Sequence, residues 1–345
     1  MSGLRLVGRG AAFPSDLGLG ADGPRALSGD DAWRLLLGDG WEAELERRGL
    51  ERDRARERHG VTTREWLHRP GAAPVHDRGA ERLATRAAER ALESAGLRGE
   101  HCDLVVVATS TPDRIGASLS ARVAASVGAS RASLDVRAGG AGGVLAWLVA
   151  ARWLGAQGRS ALVVAVESPS AYLHADDPGN ALLFGDAAGA IVLRRDDAGD
   201  AGCAAAVERT QPPTGTSFTV PGPLPPTSAA LERGEYRLRP PDRAYRDRLV
   251  SAWRNLAVDL KDRILELEPR SAELCANAAT RALAEQVAEG LGLSPLPTLA
   301  ALARHGACGS AACLVALAEL DALPPRLVLA AVGGGVHAAG LVWDA

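Results

Sequence analysis

Residues 185–193 of the chain read GDAAGAIVL, and residues 333–343 read GGGVHAAGLVW. Both stretches place glycines directly before a strand-like run of small and β-branched residues, and they lie roughly 150 residues apart. Spacing of this kind indicates one structural unit that is present in two copies. We therefore expect two α/β halves packed together, one at residues 1–195 and one at residues 196–345, rather than a solenoid.

The rest of the chain alternates between strand patterns and helix patterns. Uninterrupted apolar runs such as LVVVA and ALVVAV predict buried strands, and apolar residues at helical spacing predict helices. The predicted strands are 4–8, 104–108, 132–137, 161–166, 187–193, 272–276 and 327–332. The predicted helices are 77–97, 118–127, 141–154, 246–267, 279–291 and 309–320. This alternation is typical of α/β proteins.

Two segments carry neither pattern. Residues 211–241 are rich in proline, so we expect a long loop there. Residues 38–58 are heavily charged, so we expect a solvated helical insertion. Its arginines, Arg52, Arg54, Arg56 and Arg58, form either a solvated face or a docking surface for an acidic partner.

The composition restricts the class of protein. The chain has 345 residues, of which 47% are hydrophobic, and its formal net charge is -3. A large core is therefore possible, and no overall basic field suits nucleic acid. The five cysteines follow no metal-binding or disulfide spacing, so we expect a reducing compartment and no metal or other cofactor. The start lacks a signal peptide, and no apolar run is long enough to span a membrane, which predicts a cytoplasmic protein.

Six stretches occur in the order in which the ketoacyl-acyl-carrier-protein synthase III family carries its motifs. They are RHGVTTRE at 58–65, DLVVVATSTPD at 103–113, LDVRAGGAGG at 134–143, LLFGDAAGAIVL at 182–193, HGACGSAACLVALAEL at 305–320 and AVGGGVHAAG at 331–340. The chain resembles this family along nearly its whole length. The resemblance implies the thiolase fold, a duplicated five-layered αβαβα sandwich, and a dimer.

The resemblance also identifies three positions at which the family's catalytic residues are replaced. In the family, a cysteine at the start of a buried helix takes the acyl group, and a histidine and an asparagine polarise the malonyl thioester. The cysteine position falls on Gly140, the histidine position on Asn277 and the asparagine position on Ala307. None of these residues can perform the original role of the side chain that it replaces.

Positions that bind the substrate in the family have counterparts here. Trp33 and Arg58 resemble the residues that contact pantetheine, and Gly334 lies in a glycine run that can supply a backbone N–H for an oxyanion. Arg281 lies one place away from an arginine that holds the carrier protein in the family. The resemblance therefore implies an acyl carrier protein or a CoA thioester as a partner.

Other residues could replace the lost chemistry. Cys308, with His305 as its base, or Cys275 could serve as a relocated nucleophile. Both cysteines could equally be small core residues, and His305 could be a capped loop histidine.

Three functions follow from these readings. The first is a non-catalytic subunit that pairs with an active homologous ketosynthase in fatty-acid-like or polyketide biosynthesis. The second is an acyltransferase that works by direct transfer or through Cys308. The third is a binding module for carrier-protein or CoA thioesters.

Overall fold

The structure is a computed structural model that describes residues 3–18, 25–70, 79–196, 199–211 and 218–345. Nine strands are found in these ranges: β1 Leu4–Ala12, β2 Leu104–Ala108, β3 Ala132–Val136, β4 Ser160–Glu167, β5 Ala187–Arg195, β6 Gly202–Thr210, β7 Ala272–Ala276, β8 Arg326–Gly333 and β9 His337–Asp344. The same ranges contain eleven α-helices: α1 Gly29–Leu37, α2 Trp41–Arg48, α3 Gly79–Ala95, α4 Leu119–Val127, α5 Gly142–Ala156, α6 Pro178–Ala181, α7 Ser228–Glu232, α8 Arg243–Leu265, α9 Arg281–Leu291, α10 Leu296–His305 and α11 Ala312–Ala318.

The strands form two sheets with matching strand orders. The first sheet has the order β1-β5-β4-β2-β3, and the second has the order β6-β9-β8-β7. In each sheet, one parallel pair, β2 with β4 or β7 with β8, lies next to an antiparallel pair formed by the last two strands along the chain, β4 with β5 or β8 with β9. The GDAAGAIVL stretch enters β5 and the GGGVHAAGLVW stretch enters β9, so the two stretches occupy equivalent places. The division of the chain at residues 195 and 196 falls in the connection from β5 to β6 and stays a prediction.

The helices arrange the two sheets into five layers. Helices α5 and α11 contact strands of both sheets and form the central layer. Helices α3 and α4 pack on the outer face of the first sheet, and α8 packs on the outer face of the second with α9 beside it. Because α5 is covered on both sides, it is apolar around most of its circumference. No helix of the described part of the chain is long and apolar enough to cross a membrane.

The charged insertion at residues 38–58 is helical, as predicted, but it is not solvated on all sides. It contains α2 and a π-helical turn, Ala55–His59. The side chains of Trp41, Leu45 and Ala55 are buried in a separate apolar cluster. The prediction of a fully solvated segment was therefore wrong, because the charges lie on one face and apolar side chains on the other.

Several other elements differ from the sequence-based prediction. Strand β6 and helix α10 were not predicted. The predicted helix 309–320 begins with a short 3-10 turn, Gly309–Ala311, before α11. The described part of the proline-rich segment contains α7, and residues 212–217 of that segment lie outside the described ranges. The predicted start of the helix at 77 also lies outside them.

Asp186, at the start of β5, joins three segments of the chain. Its buried carboxylate accepts hydrogen bonds from the backbone N–H of Leu67 at 2.7 Å and of Ser170 at 3.0 Å, and from the Ser170 hydroxyl. Burial raises the pKa of Asp186 to about 7, and these donors only partly oppose that effect.

This raised pKa predicts a pH dependence of stability. Because the folded state binds the proton more tightly than the unfolded state, the stabilising contribution is complete below about pH 4 and is lost as the pH rises through about 7. The unfolding free energy should fall by up to about 4 kcal/mol over that interval. Urea unfolding of the wild type and of Asp186→Asn, measured from pH 4 to pH 8, tests this.

The slope should be smaller in Asp186→Asn, because an amide does not titrate. It should not vanish, because burial also raises the pKa of Glu167. Asp39→Asn, at an exposed turn, is the control and should keep the wild-type slope. A wild-type slope in Asp186→Asn would contradict the assignment.

Candidate functional site

Gly140 lies in a tight turn that joins β3 to α5. The turn is a 3-10 helix, Gly139–Ala141, and α5 follows directly at Gly142. Gly139 has φ +53°, a left-handed conformation that glycine adopts without steric cost. Gly143 permits close packing with the second half, since a Cβ there would overlap the carbonyl oxygen of Ser310. The glycine-rich stretch is thus required by the backbone, and Gly140 stands at the start of a buried helix.

The side chain of Asn277 occupies the space in front of Gly140. A Cβ added at Gly140 would overlap Nδ2 of Asn277 and would lie 2.9 Å from the carbonyl oxygen of Val332. Asn277 follows β7, and its Nδ2 donates to that same carbonyl at 3.5 Å. The structure therefore brings Gly140 and Asn277, two of the three positions that the resemblance identifies, into direct contact. The amide of Asn277 fills the volume that a side chain at Gly140 would need.

The glycine run after β8 packs against the same turn. A Cβ at Gly139 would overlap the backbone nitrogen of Gly334, and a Cβ at Gly333 would overlap the backbone nitrogen of Gly140. Gly334 itself has open space on one side, because among the described residues a Cβ there would have only the Tyr245 hydroxyl within 4 Å, at 3.9 Å. A ligand can therefore approach the backbone at Gly334.

Ala307 is the third position that the resemblance identifies. Its backbone N–H donates to the carbonyl of Leu183 at 2.9 Å, and it forms a β-bridge with Phe184. A cavity of about 10 Å³ is lined by Ala307 and by Ala276 and Ala278, the two neighbours of Asn277. That volume accommodates about one water molecule. Ala307 thus shares this cavity with the two neighbours of Asn277, whereas Asn277 and Gly140 do not line it.

The substitute nucleophiles proposed from the sequence have no base beside them. Cys308 is 1% exposed, and its thiol donates to the backbone carbonyls of His305 at 3.5 Å and Gly306 at 3.4 Å. Nε2 of His305 faces the carboxylate of Glu319 at 2.7 Å instead. Burial raises the pKa of Cys308 and of Cys275 far above the usual range, so both thiols are held in the neutral form.

The residues that resemble binding positions fall into two groups. Trp33 is 1% exposed, and its indole N–H donates to the carbonyl of Arg52 at 2.9 Å, so it is part of the apolar cluster beneath α2. Arg58 is exposed and forms an ion pair with Glu51 at 2.8 Å. Arg281 is exposed at the start of α9, where its side chain lies against Gly60, close to Arg58 in the sequence. A pantetheine contact by Trp33 would require α1 and α2 to move.

A buried polar network was not predicted from the sequence. The carboxylate of Glu167, at the end of β4, accepts from the Ser310 hydroxyl at 2.7 Å, the Thr111 hydroxyl at 2.7 Å and the Ser110 N–H at 3.0 Å. Burial raises the pKa of Glu167. The network joins the loop after β2 to the turn before α11, directly behind the start of α5. The sequence signal for this network was Glu167, a lone acidic residue at the end of the apolar run ALVVAVE.

Comparison with known sequences gives partial matches. The family model described as 3-Oxoacyl-[acyl-carrier-protein (ACP)] synthase III matches residues 134–212. Beta-ketoacyl-[acyl-carrier-protein] synthase III of Bordetella petrii is 38% identical over 168 residues, which are 47% of this chain and 48% of that protein. The protein of the same name from Rhodospirillum centenum is 42% identical over 117 residues, 33% of this chain and 36% of that protein. These matches therefore span about half the length of the relatives or less.

Comparison with solved structures covers nearly the whole chain. The 3-oxoacyl-(acyl carrier protein) synthase III of Pseudomonas aeruginosa PAO1 superposes with a TM-score of 0.75 at 26% identity, covering 99% of this chain and 98% of that chain. The priming beta-ketosynthase of the R1128 polyketide biosynthetic pathway superposes with a TM-score of 0.73 at 21% identity, covering 99% and 96%. The chain therefore has the thiolase fold, and its sequence is similar over part of its length to ketoacyl-acyl-carrier-protein synthase III proteins.

Proposed function

We propose that the chain is a non-catalytic ketosynthase III-like subunit in fatty-acid-like or polyketide biosynthesis. It pairs with a catalytically intact homologous ketosynthase and engages an acyl carrier protein or a CoA thioester. The observation that carries this proposal is the contact between Gly140 and Asn277. Where the family holds a thiol, this chain has a glycine, and the neighbouring amide fills the vacated space.

The remaining groups do not support covalent acyl transfer. Asn277 can donate a hydrogen bond, but an amide cannot shuttle a proton. Cys308 and Cys275 are buried and have raised pKa values, and in the described part of the chain neither thiol hydrogen-bonds to a histidine side chain. A thiolate with access to substrate is the requirement for this chemistry.

The backbone of the site still suits binding of a thioester. The N-terminus of α5 favours a carbonyl oxygen that carries partial negative charge, and the open space beside the Gly334 Cα leaves room for one to approach. The matched relatives are named as synthases that act with an acyl carrier protein. Binding without covalent transfer is consistent with both observations.

Direct transfer, without an acyl-enzyme, is the second candidate function. The open side of Gly334 favours it, because an acceptor amine or hydroxyl could approach a bound thioester there. Proximity and an oxyanion donor alone can lower a barrier by several kcal/mol.

A basic surface supports docking of an acidic carrier. Arg54 and Arg58 lie close enough to His59 to lower its pKa, in addition to the larger effect of burial. The exposed Arg281 lies against Gly60, the next residue. Several arginines thus lie together at the π-helical turn, although Arg58 is paired with Glu51 and Arg56 with Asp53. Local charge of this kind steers an acidic partner.

The edge of the first sheet supports pairing with a second thiolase-fold chain. Strand β3 is the outermost strand of that sheet in the described part of the chain, so one side of its backbone is unpaired there. Asp135 of β3 accepts from the N–H groups of Leu119 and Ser120 at 2.9 and 2.7 Å, which ties the strand to α4. The nearby loop exposes Ile115 by 75%. Exposed strand edges and apolar side chains of this kind favour association.

The absence of covalent transfer is tested by mass spectrometry. The purified chain is incubated with acetyl-, butyryl- and octanoyl-CoA, and its intact mass is measured beside that of an active ketosynthase III. We expect no acyl adduct on this chain and an adduct on the active enzyme. An adduct that disappears in Cys308→Ala would overturn the non-catalytic proposal in favour of the relocated nucleophile. Product released to an amine or alcohol without an adduct would support direct transfer.

Pairing is tested by copurification with each intact ketosynthase III of the same genome. We expect a stable complex with one of them, and we expect Ala132→Arg, at the exposed start of β3, to abolish it. Ala229→Arg, on the exposed face of α7, is the matched control and should leave the complex intact. If the chain copurifies with none of the intact ketosynthase III proteins, the proposal is contradicted.

The contact between Gly140 and Asn277 is tested by a double-mutant cycle. Gly140→Ala should destabilise the protein by about 1–3 kcal/mol, because the new Cβ overlaps Asn277 and crowds the Val332 carbonyl. Adding Asn277→Ala removes one of those two contacts, so the double variant should be less destabilised than the sum of the single variants. Urea unfolding measures each free energy.

Gly155→Ala, near the end of the helix α5 that follows Gly140, is the control, since a Cβ at Gly155 has nothing within 4 Å among the described residues. It should be neutral or slightly stabilising. If Gly140→Ala were equally harmless, or if the two substitutions were additive, the filled-site interpretation would be wrong.

A further inference from the structure

The turn between β8 and β9 holds a strained residue next to the candidate site. Gly333 pairs with His337, so Gly334, Gly335 and Val336 form the turn itself. Val336 has φ +52°, and within the described ranges it is the one residue other than glycine with a positive φ. The left-handed region is strongly disfavoured for a β-branched side chain, and such conformations persist only where the surroundings enforce them.

Tyr245 is the side chain that closes this turn from inside. It lies in the first turn of α8 and is fully buried. Its O–H group lies 3.5 Å from the carbonyl oxygen of Gly333 and donates to it. The backbone N–H groups of Gly335 and Val336 face the phenolic oxygen, and they partly oppose the rise that burial causes in the pKa of Tyr245. The hydroxyl therefore adjoins the turn at Gly333, Gly335 and Val336.

Both ends of this arrangement are fixed. The Tyr245 backbone N–H donates to the carboxylate of Asp242, the N-cap of α8, at 2.8 Å. On the other side, the N–H of Gln211 donates to the carbonyl of Val336 at 3.2 Å. The tyrosine is thus held by its helix, and the strained residue is held by the neighbouring strand connection.

The turn is also part of the candidate site. The backbone nitrogen of Gly334 lies directly against Gly139, and Gly333 packs on the backbone of Gly140. The open side of Gly334 has the Tyr245 hydroxyl as its nearest described atom. A change in the turn would therefore move the backbone that faces a ligand.

We propose that Tyr245 is a positioning residue, whose hydroxyl holds the Gly334–Val336 turn in its strained conformation and thereby fixes the Gly334 backbone for a thioester carbonyl. The thioester ligand in this proposal rests on the proposed function above. The geometric part, that the hydroxyl holds the turn in its conformation, is independent of the proposed function.

A phenylalanine would fill the same volume without a hydroxyl. The carbonyl of Gly333 would then lose its donor, and the N–H groups of Gly335 and Val336 would lose the oxygen that they face, which is unfavourable in this largely buried place. Val336 would be released towards a conformation with negative φ, and the Gly334 backbone would shift with it. A glycine at 336 tolerates positive φ, so it should keep the turn in place even without the hydroxyl.

Amide hydrogen exchange tests the geometric part without any ligand. In Tyr245→Phe, the peptide covering residues 333–337 should exchange about tenfold or more faster than in the wild type. Tyr245→Phe/Val336→Gly should recover most of the protection. Tyr236→Phe is the matched control, because it removes a hydroxyl that donates to the Pro223 carbonyl, away from the turn. Wild-type exchange at 333–337 in Tyr245→Phe would overturn the proposal.

Binding of octanoyl-CoA and acetyl-CoA, measured by calorimetry, tests the ligand part. If the wild type binds either probe, Tyr245→Phe should weaken binding by about tenfold, and the double variant should restore it. Equal binding by the wild type and Tyr245→Phe would overturn the positioning role. If the wild type binds neither probe, thioester binding and with it the ligand part are rejected, and the exchange measurement alone then decides whether the hydroxyl enforces the turn.

Discussion

Backbone-to-backbone contact between two glycine turns is the constraint on which the site depends. The turn at Gly139–Gly140 and the turn at Gly333–Gly334 lie so close that a Cβ at Gly139 or at Gly333 would overlap a backbone nitrogen of the other turn. Neither turn can move away from the other, because each is continuous with a strand. The turn at Gly139–Gly140 is also continuous with the buried helix α5. The two halves of the fold are therefore joined here by backbone atoms. Side chains can reach the site only from its flanks, and Asn277 does so.

The duplication repeats the backbone but not the chemistry. Each half carries a 3-10 turn before a central helix, and the first residue of each turn is a glycine in the left-handed region, Gly139 at φ +53° and Gly309 at φ +51°. The next residue is Gly140 in the first turn and Ser310 in the second. Ser310 donates to the buried carboxylate of Glu167, whereas Gly140 offers only a surface for Asn277. The same geometry thus holds a polar network in one half and a filled gap in the other.

Local patterns were enough to predict most of the secondary structure. The strands 104–108, 132–137, 161–166 and 272–276 correspond closely to β2, β3, β4 and β7. The prediction was clearest for β2 and β4, because buried strands of this kind are uninterrupted apolar runs. Strand β6, GCAAAVERT, was missed because it lies at a sheet edge and combines small residues with a charged end. The burial of α2 was missed because its apolar side chains are few and its charges dominate the composition. Both errors concern elements whose environment is set by distant parts of the chain.

The sequence by itself determined the fold, through two glycine-led strands and ordered motifs, and it determined that Gly140, Asn277 and Ala307 lack reactive side chains. Only the tertiary structure decided that Asn277 occupies the space at Gly140, that His305 faces Glu319 rather than Cys308, and that Tyr245 closes the strained turn at Val336. The physical reason is that residue identity limits chemistry directly. Contacts between residues far apart in the chain, by contrast, depend on how two sheets and their central helices pack.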